Sequence, residues 1–109
     1  FYAPSEVRDK VHLAAVFADN FANHCLALSQ QILKDSGFST DLLHTLAEGL
    51  LNGAATGTSF ERQTGVALRG DKGSQQKHLE LIKSFSNAQE MAEFYRLLSK
   101  HISESHNTH

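Results

Sequence analysis

The sequence predicts an all-α protein, a helical bundle around one long central helix. Three observations support this class. Residues 7–33 contain neither Pro nor Gly, and apolar or small side chains recur along them at helical spacing. Three later segments carry apolar residues at helical spacing, each after a residue that can cap a helix. The one long irregular stretch, residues 56–72, has glycines and no sustained period.

The long helix is predicted to begin at Ser5, as its cap, and to end near Asp35, with Gly37 as the C′ residue. Two of its faces are apolar or small. They are Leu13, Phe17, Phe21, Leu28 and Ile32 on one face, and Val7, Val11, Ala14, Ala18, Ala22, Cys25 and Ser29 on the other. Because both faces need cover, we expect other elements to pack around this helix.

A third face of the long helix is mixed, with His12, Val16, Asn20 (or Asp19) and Asn23 at helical spacing. An unpaired buried amide costs ~1–3 kcal/mol, so these polar groups need partners. Two interpretations stay open: they bond to loops or water inside the fold, or they face a cleft and contact a ligand. This face is the first candidate site.

A second helix is predicted from Asp41 to about Ala55, capped by Ser39 or Thr40. Its glycines recur every four residues, at Gly49, Gly53 and Gly57. Since glycine inside a helix costs ~0.5–1 kcal/mol relative to Ala, their alignment favours close packing against a neighbouring helix or a second subunit. A fraying helix end is the alternative.

Two further helices complete the predicted fold. Asp71 or Ser74 caps the third, which runs to about Phe85, and a capping box at Ser86-x-x-Gln89 opens the fourth, which ends near Ile102. The side chains expected to face inward are His78, Leu79, Ile82, Phe85, Met91, Phe94, Tyr95, Leu98 and Ile102. Residues 1–103 are assigned to one helical domain and residues 104–109 to a disordered polar tail.

Composition narrows the function classes. The 109 residues suit one domain, and the net charge of -2 predicts no nucleic-acid or anionic-membrane partner. No apolar run reaches the ~18 residues of a membrane span. A single cysteine, Cys25, excludes an intramolecular disulfide and fits a cytoplasmic protein. The chain opens on Phe1 without a signal-peptide pattern, so we expect it to be part of a longer chain.

The segment from Gln63 to Asp71 is the second candidate site. Gly65 and Gly70 allow unusual backbone angles, so amides and the Thr64 hydroxyl can point at an anion or a carbonyl. Arg69 can pair with a phosphate or a carboxylate. A structural loop held by an Arg69 salt bridge is an equal alternative.

Two patterns together resemble a known family. Residues 12–24 follow His-x-Ala-Ala-x-Phe-x-x-Asn-Phe-x-Asn-His, and residues 63–71 follow Gln-Thr-Gly-Pro-Ala-x-Arg-Gly-Asp except at Val66. A His-Leu pair follows, as His78-Leu79 does here. These patterns resemble the C-terminal helical domain of Rossmann-like NADP oxidoreductases, similar in layout to pyrroline-5-carboxylate reductase and 6-phosphogluconate dehydrogenase. Val66 in place of proline removes a fixed φ from the loop.

The resemblance implies a function for a longer protein. An N-terminal Rossmann domain would hold NADP or NAD, and this chain would form one wall of the cleft and a homodimer interface. Asn20, Asn23 and His24 would approach the nicotinamide and a small-molecule substrate, with His12, Thr64, Gly65, Arg69 and Asp71 nearby. The reaction would be hydride transfer. The chain alone would bind no cofactor tightly and no metal.

Two alternatives belong to other classes. The chain is a stand-alone helical oligomerisation or interaction module without catalysis, or it is a small enzyme complete in itself. In the first case the line of Gly49, Gly53 and Gly57 would mark the partner surface. The behaviour of Asn23 and Arg69 separates cleft from structural roles, because substitution would lower activity in one case and the melting temperature in the other.

Overall fold

The computed structural model describes residues 4–107, which form helices joined by turns, with no strand among them. The all-α class is therefore confirmed. The elements, in chain order, are α1 (Ser5–Ala15), a π-helical segment (Val16–Phe21), α2 (Ala22–Asp35), a 3₁₀ turn (Thr40–Leu43), α3 (His44–Thr56), α4 (Val66–Arg69), α5 (Lys72–Ile82) and α6 (Ala88–Asn107). The chain divides between Leu51 and Asn52 into two compact units.

The predicted long helix is present as α1, the π segment and α2, which follow one another without a break. Its start differs from the prediction. Pro4 is the N-cap residue, with extended ψ of 151°, and Ser5 is already helical and caps nothing. The Ser5 hydroxyl oxygen instead accepts a 3.5 Å bond from Arg8. Proline suits this boundary because its ring fixes φ and it has no N–H to satisfy.

The end of the long helix confirms the role predicted for Gly37. This glycine has φ of +78°, the left-handed conformation that a side chain disfavours. Its N–H donates to the Lys34 carbonyl at 3.1 Å, and the Phe38 N–H donates to the Leu33 carbonyl at 2.8 Å. These two bonds form a Schellman motif, which satisfies carbonyls that the helix would otherwise leave unpaired.

The π segment was not predicted. At its end, the Ala22 N–H donates to the carbonyl of Phe17, five residues earlier. One such wide turn adds about one residue to the helix, so the faces before and after it are rotated by about 100° relative to a continuous α-helix. The sets of side chains that share a face of this helix therefore differ from those predicted for a continuous α-helix. Leu13, Phe17, Phe21 and Ile32 remain on one line, and Cys25 joins it; we call these five residues the apolar stripe.

The first unit has no interior of its own. None of its described residues is buried, and large apolar side chains such as Phe17 and Leu46 are 62% and 67% exposed. Within the unit, the 3₁₀ turn contacts α2 near the end of the long helix. The cover that the two apolar faces predict is thus not supplied by this unit.

The second helix forms much as predicted. The Ser39 hydroxyl accepts a 3.1 Å bond from the Asp41 N–H and caps the 3₁₀ turn that leads into α3. The three glycines have three different settings. Gly57 ends α3 with φ of +69°, Gly49 lies in open space, and a Cβ on buried Gly53 would lie 3.1 Å from Arg62 and Ser59 side-chain atoms. Within the described residues, Gly53 therefore packs closely against the turn that follows its own helix, and none of the three glycines contacts a neighbouring helix; packing against a second subunit stays a prediction.

The second unit has a small core made by α4, α5 and α6. Ala67, Ile82 and Met91 are its buried apolar residues, one from each helix. Of the other side chains predicted to face inward, Leu79, Phe85, Tyr95 and Ile102 are partly buried. The prediction is wrong for three: His78 is exposed, and Phe94 and Leu98 are 45% and 53% exposed. Buried Met91 marks the side of α6 that contacts α4 and α5.

The boundaries of α6 also differ from the prediction. The Met91 N–H donates to the Asn87 carbonyl at 3.1 Å, and α6 begins at Ala88. The cap position is therefore Asn87, one residue after the predicted Ser86. At the other end, the predicted disordered tail is wrong for residues 104–107, which continue the helix. His106 explains this: its ring stacks on Phe60 at 4.0 Å and contacts the Phe60 carbonyl at 3.0 Å. Phe1, Tyr2, Ala3, Thr108 and His109 lie outside the described residues.

Candidate functional site

The first group of predicted site residues lies on the long helix, where the π segment changes their alignment. Counting ~100° per residue and about one residue fewer across the π segment, His12, Asn20 and His24 fall within about 30° of one another. Asn23 is turned away by roughly a quarter of a turn, onto the line of Asp19. The predicted common face of His12 and Asn23 is therefore wrong, and His24 takes the place of Asn23. We call His12, Asn20 and His24 the polar line.

The polar line has one compact part. Asn20 and His24 are one turn apart, about 6 Å along the axis, whereas His12 lies about 12 Å before Asn20. All three side chains are exposed, and within residues 4–107 none of them forms a hydrogen bond. The structure therefore does not tie them to a loop of the chain. An amide and an imidazole at this spacing can both contact one small polar ligand.

The second group of predicted site residues lies on the turn around α4. Gly65 precedes α4 with φ of 103° and ψ of 179°, a conformation that essentially only glycine adopts. Its carbonyl accepts from the Arg69 N–H at 3.2 Å, and Gly70 closes the helix with φ of 65° and ψ of 29°. The Asp71 N–H donates to the Val66 carbonyl at 3.0 Å. The two glycines thus bracket a single, tightly closed helical turn.

Val66, which departs from the family pattern, is the first residue of α4. Proline is favoured at this position because its N–H would be unsatisfied there anyway. The turn also forms with valine. Valine therefore lacks the fixed φ that proline would supply, but α4 is present all the same.

Asp71 is the predicted cap of the third helix, and the structure confirms this role. Its carboxylate accepts the Ser74 N–H at 3.0 Å and the Ser74 hydroxyl at 2.7 Å. The side-chain bond from Ser74, followed by its backbone bond, lowers the pKa of Asp71 below its usual value, and the charges of Arg69 and Lys77 act in the same direction. Asp71 is therefore an ionised structural group that holds the start of α5.

Thr64 and Arg69 remain open to solvent. Both are exposed, and Arg69 has no ion pair among the described residues. The salt bridge that the structural interpretation of this loop requires is thus missing from the described part of the chain. The glycine conformations and the Asp71 cap hold the turn instead, which leaves the Arg69 guanidinium available to an anion.

Tyr95 makes a polar contact that the sequence analysis missed. Its hydroxyl lies 2.6 Å from Nδ1 of His78, and the two rings meet edge to face at 5.7 Å. Burial, together with the charge of Asp71, raises the pKa of Tyr95 above its usual value. The hydroxyl therefore keeps its proton at neutral pH and can act as a donor. Tyr95 lies among the apolar residues predicted to face inward from α6, which indicated a core residue, and no local motif indicated a polar contact.

The predicted site residues thus form two local groups, one in each unit. His12, Asn20, Asn23 and His24 belong to the first, and Thr64, Gly65, Arg69 and Asp71 to the second. Residues 4–107 contain no group of three or more His, Cys, Asp or Glu side chains placed to hold a metal ion. Over the same residues, no helix combines the length and apolarity that crossing a membrane requires.

Comparison with known proteins identifies a family and a similar solved structure. Residues 1–102 match the model of a domain of unknown function, DUF2520. The fold is similar to the crystal structure of a "putative NADP oxidoreductase" from Bacteroides fragilis, with a TM-score of 0.84 and 34% sequence identity. The match covers 94% of this chain but only 38% of that protein. No curated protein matches the chain.

Proposed function

Because the chain belongs to the DUF2520 family, we propose that it is the helical, dimer-forming and substrate-cleft domain of an NADP-dependent oxidoreductase. One observation carries this proposal. The structural relative named as an NADP oxidoreductase is 34% identical over 94% of this chain, and the chain spans only 38% of that relative's length. The reaction is hydride transfer to or from a small molecule that remains to be identified.

The cofactor is held mainly outside this chain. Dinucleotides are commonly bound at the carboxyl end of a parallel sheet, by a glycine-rich strand-to-helix turn. Residues 4–107 contain no strand, so this part of the protein does not fit that form of binding. NADP, or NAD as the alternative cofactor, would supply the hydride chemistry from a neighbouring Rossmann domain.

This chain supplies polar contacts to the substrate. The exposed Asn20 amide and His24 imidazole lie one turn apart and have no hydrogen-bond partner among residues 4–107. They can donate to or accept from a polar substrate group. Arg69 can pair with a substrate carboxylate or phosphate, because no ion pair occupies its guanidinium within the described chain.

The apolar stripe of the first unit is the surface for a second copy. Phe17 and Phe21 on this stripe are 62% and 51% exposed, and Leu13 is 59% exposed. Large apolar side chains that lie together on an exposed surface are typical of a protein–protein interface. The first unit has no buried residue among those described, so it gains the most from such cover.

Cofactor binding tests the oxidoreductase part of the proposal. NADPH fluorescence titrated with the full-length protein should show saturable binding, and titrated with the isolated 109 residues it should not. Tight NADPH binding by the isolated chain would contradict the proposed division of roles. In a reduction assay with a panel of carbonyl and imine substrates, Asn20→Ala and His24→Ala should each lower kcat/KM roughly tenfold or more. The matched control is Gln30→Ala, another exposed residue of α2 on a different face.

The oligomeric state tests the dimer part. Phe17 is 62% exposed in the single chain, and burying a phenylalanine side chain stabilises by ~1.5–3 kcal/mol. A two-fold dimer buries the exposed part of two copies, so Phe17→Ser should raise the dimer dissociation constant by roughly 20- to 500-fold. Sedimentation equilibrium measures this change. Leu81→Ser, a similar loss of an exposed apolar side chain in the second unit, is the control and should leave the dimer intact.

The alternative function is a helical oligomerisation module without catalysis. It is favoured by the large exposed apolar residues, which occur in both units. It predicts dimers that dissociate with Phe17→Ser but no NADPH binding by the full-length protein. The two titrations together therefore separate the functions.

A further inference from the structure

The second unit contains a cleft that borders the second candidate site but that Thr64, Gly65, Arg69 and Asp71 do not line. It has a volume of about 340 Å³ and lies between the α4–α5 turn and one face of α6. Buried Ala67 forms part of its lining, and Gly70, without a side chain, leaves the cleft open on that side. Arg69 and Asp71 are not among its lining residues, although they flank Gly70 in the sequence.

Three cations surround this cleft. Lys72 comes from the start of α5, and Arg96 and Lys100 lie one turn apart on α6. None of the three has an ion pair among the described residues. Among the described lining residues the one carboxylate is that of Glu104, so these residues together carry a net charge of about +2. Such a concentration of positive charge is costly unless it attracts an anion.

Two serines add uncharged donors to the same face. Ser99 and Ser103 are half-buried, and within residues 4–107 their hydroxyls have no hydrogen-bond partner. Other helical hydroxyls of the chain do bond to their own helix: Ser29 donates to the Leu26 carbonyl and Thr56 to the Asn52 carbonyl, both at 2.8 Å. The hydroxyls of Ser99 and Ser103 are thus available to a ligand.

The arrangement follows from helical spacing. Arg96, Ser99, Lys100 and Ser103 stand at i, i+3, i+4 and i+7 and therefore share one face of α6. Lys72 stands across the cleft from this face. The donors consequently approach a ligand from two elements of the same unit, and both elements also contribute to its core.

We propose that this cleft binds the phosphate group of a small phosphorylated ligand. A phosphate monoester carries nearly two negative charges at neutral pH and three acceptor oxygens, which matches a net charge of about +2 and several donors. A carboxylate has one charge and two oxygens and would leave donors unused. The proposal goes beyond the oxidoreductase function and does not depend on it, since inorganic phosphate alone is expected to bind.

The test is a titration of the full-length protein with inorganic phosphate, in which binding is measured by calorimetry or from the NMR signals of backbone amides. We expect saturable binding that Arg96→Gln weakens roughly tenfold or more, because it removes a charge-assisted bond. Glu104→Gln should tighten binding by about two- to fivefold, because it removes the negative charge of the described lining residues. Lys77→Gln, with the same loss of charge on α5 but outside the cleft, should change the affinity by less than about twofold. Circular dichroism melts check that each variant is folded.

Two competitors refine the assignment. Sulfate should displace phosphate, and acetate at equal ionic strength should not. Among larger ligands, competition by NADP⁺ but not NAD⁺ would indicate the cofactor's 2′-phosphate, and competition by neither would indicate a phosphorylated substrate or effector. The proposal is overturned if phosphate shows no saturable binding up to about 20 mM. Equal weakening by Lys77→Gln and Arg96→Gln would overturn it as well.

Discussion

Replacing Gly49 by alanine is expected to raise the free energy of unfolding by about 0.5–1 kcal/mol. Gly49 lies inside α3, and beyond its chain neighbours and the backbone of its own helix a Cβ built on it has no heavy atom within 4 Å. The added methyl group therefore meets nothing, while it restricts the unfolded backbone and favours the helix. For a chain of this size, 1 kcal/mol corresponds to a rise of roughly 4–8 °C in Tm, which differential scanning calorimetry resolves easily.

Gly53→Ala is the matched comparison within the same helix. The propensity gain is the same, but its Cβ would lie 3.1 Å from Arg62 Cδ and Ser59 Oγ and 3.5 Å from Ser59 Cα. Those side chains must move by a few tenths of an ångström, so we expect a smaller gain than at Gly49, or a loss. A fall in Tm for Gly49→Ala would refute the reasoning. It would indicate that Gly49 packs against another surface, as the glycine spacing in the sequence first suggested.

Three further perturbations test the second unit. Gly65→Ala should lower stability by about 1–3 kcal/mol, measured by urea unfolding, because alanine does not tolerate φ of 103°. The lowered pKa of Asp71 means that its carboxylate stabilises the fold fully above its unfolded pKa, near 3.8, and progressively less as the pH falls through the lower folded pKa. Unfolding at a series of acidic pH values should therefore show a smaller acid dependence for Asp71→Asn than for the natural chain. Tyr95→Phe removes the 2.6 Å contact with His78 and should cost no more than ~1 kcal/mol, with a change in the His78 ring signals in NMR spectra. An unchanged His78 spectrum would contradict that contact.

Features governed by local chemistry were predictable from the sequence. Gly37 ends the long helix and Asp71 caps α5 because a left-handed turn and a capping carboxylate each depend on only a few neighbouring residues. Ser39 is a similar case. The cap predicted at Ser86 failed by one residue, which is the usual uncertainty of helix boundaries.

Features that depend on distant residues or on register were not predictable. The π segment changes no residue type and is invisible to a search for a period of 3.6, yet it exchanges Asn23 for His24 on the polar line. Residues 104–107 looked like a polar tail because the stacking of His106 on Phe60 joins positions far apart in the sequence. The cleft around Arg96 was not predicted for the same reason, because Lys72 is 24 positions away in the sequence and the two residues line one cleft only in the folded unit.

The candidate sites were only half predictable. The glycines and Asp71 could be assigned roles from backbone requirements alone. Tyr95 could not, because an aromatic residue in an apolar stripe is usually core, and only the structure places its hydroxyl against His78. Whether the polar line contacts a substrate stays a prediction until the variants of Asn20 and His24 are measured.

The π segment also sets the direction in which a neighbouring helix can lie along the first unit. In a continuous α-helix, residues spaced four apart drift by about 40° at each step, so a stripe built on that spacing winds around the axis. The wide turn reverses about 100° of this drift between the two halves of the helix. The line from Leu13 to Ile32 therefore runs nearly parallel to the helix axis for about 28 Å. In the proposed dimer, a helix of the second copy would follow that line without supercoiling. Because the wide turn accommodates about one extra residue, deleting one of residues 18–20 would restore a continuous α-helix and leave the line in place, whereas a regular α-helix through all six residues of the segment would turn its two halves about 100° apart.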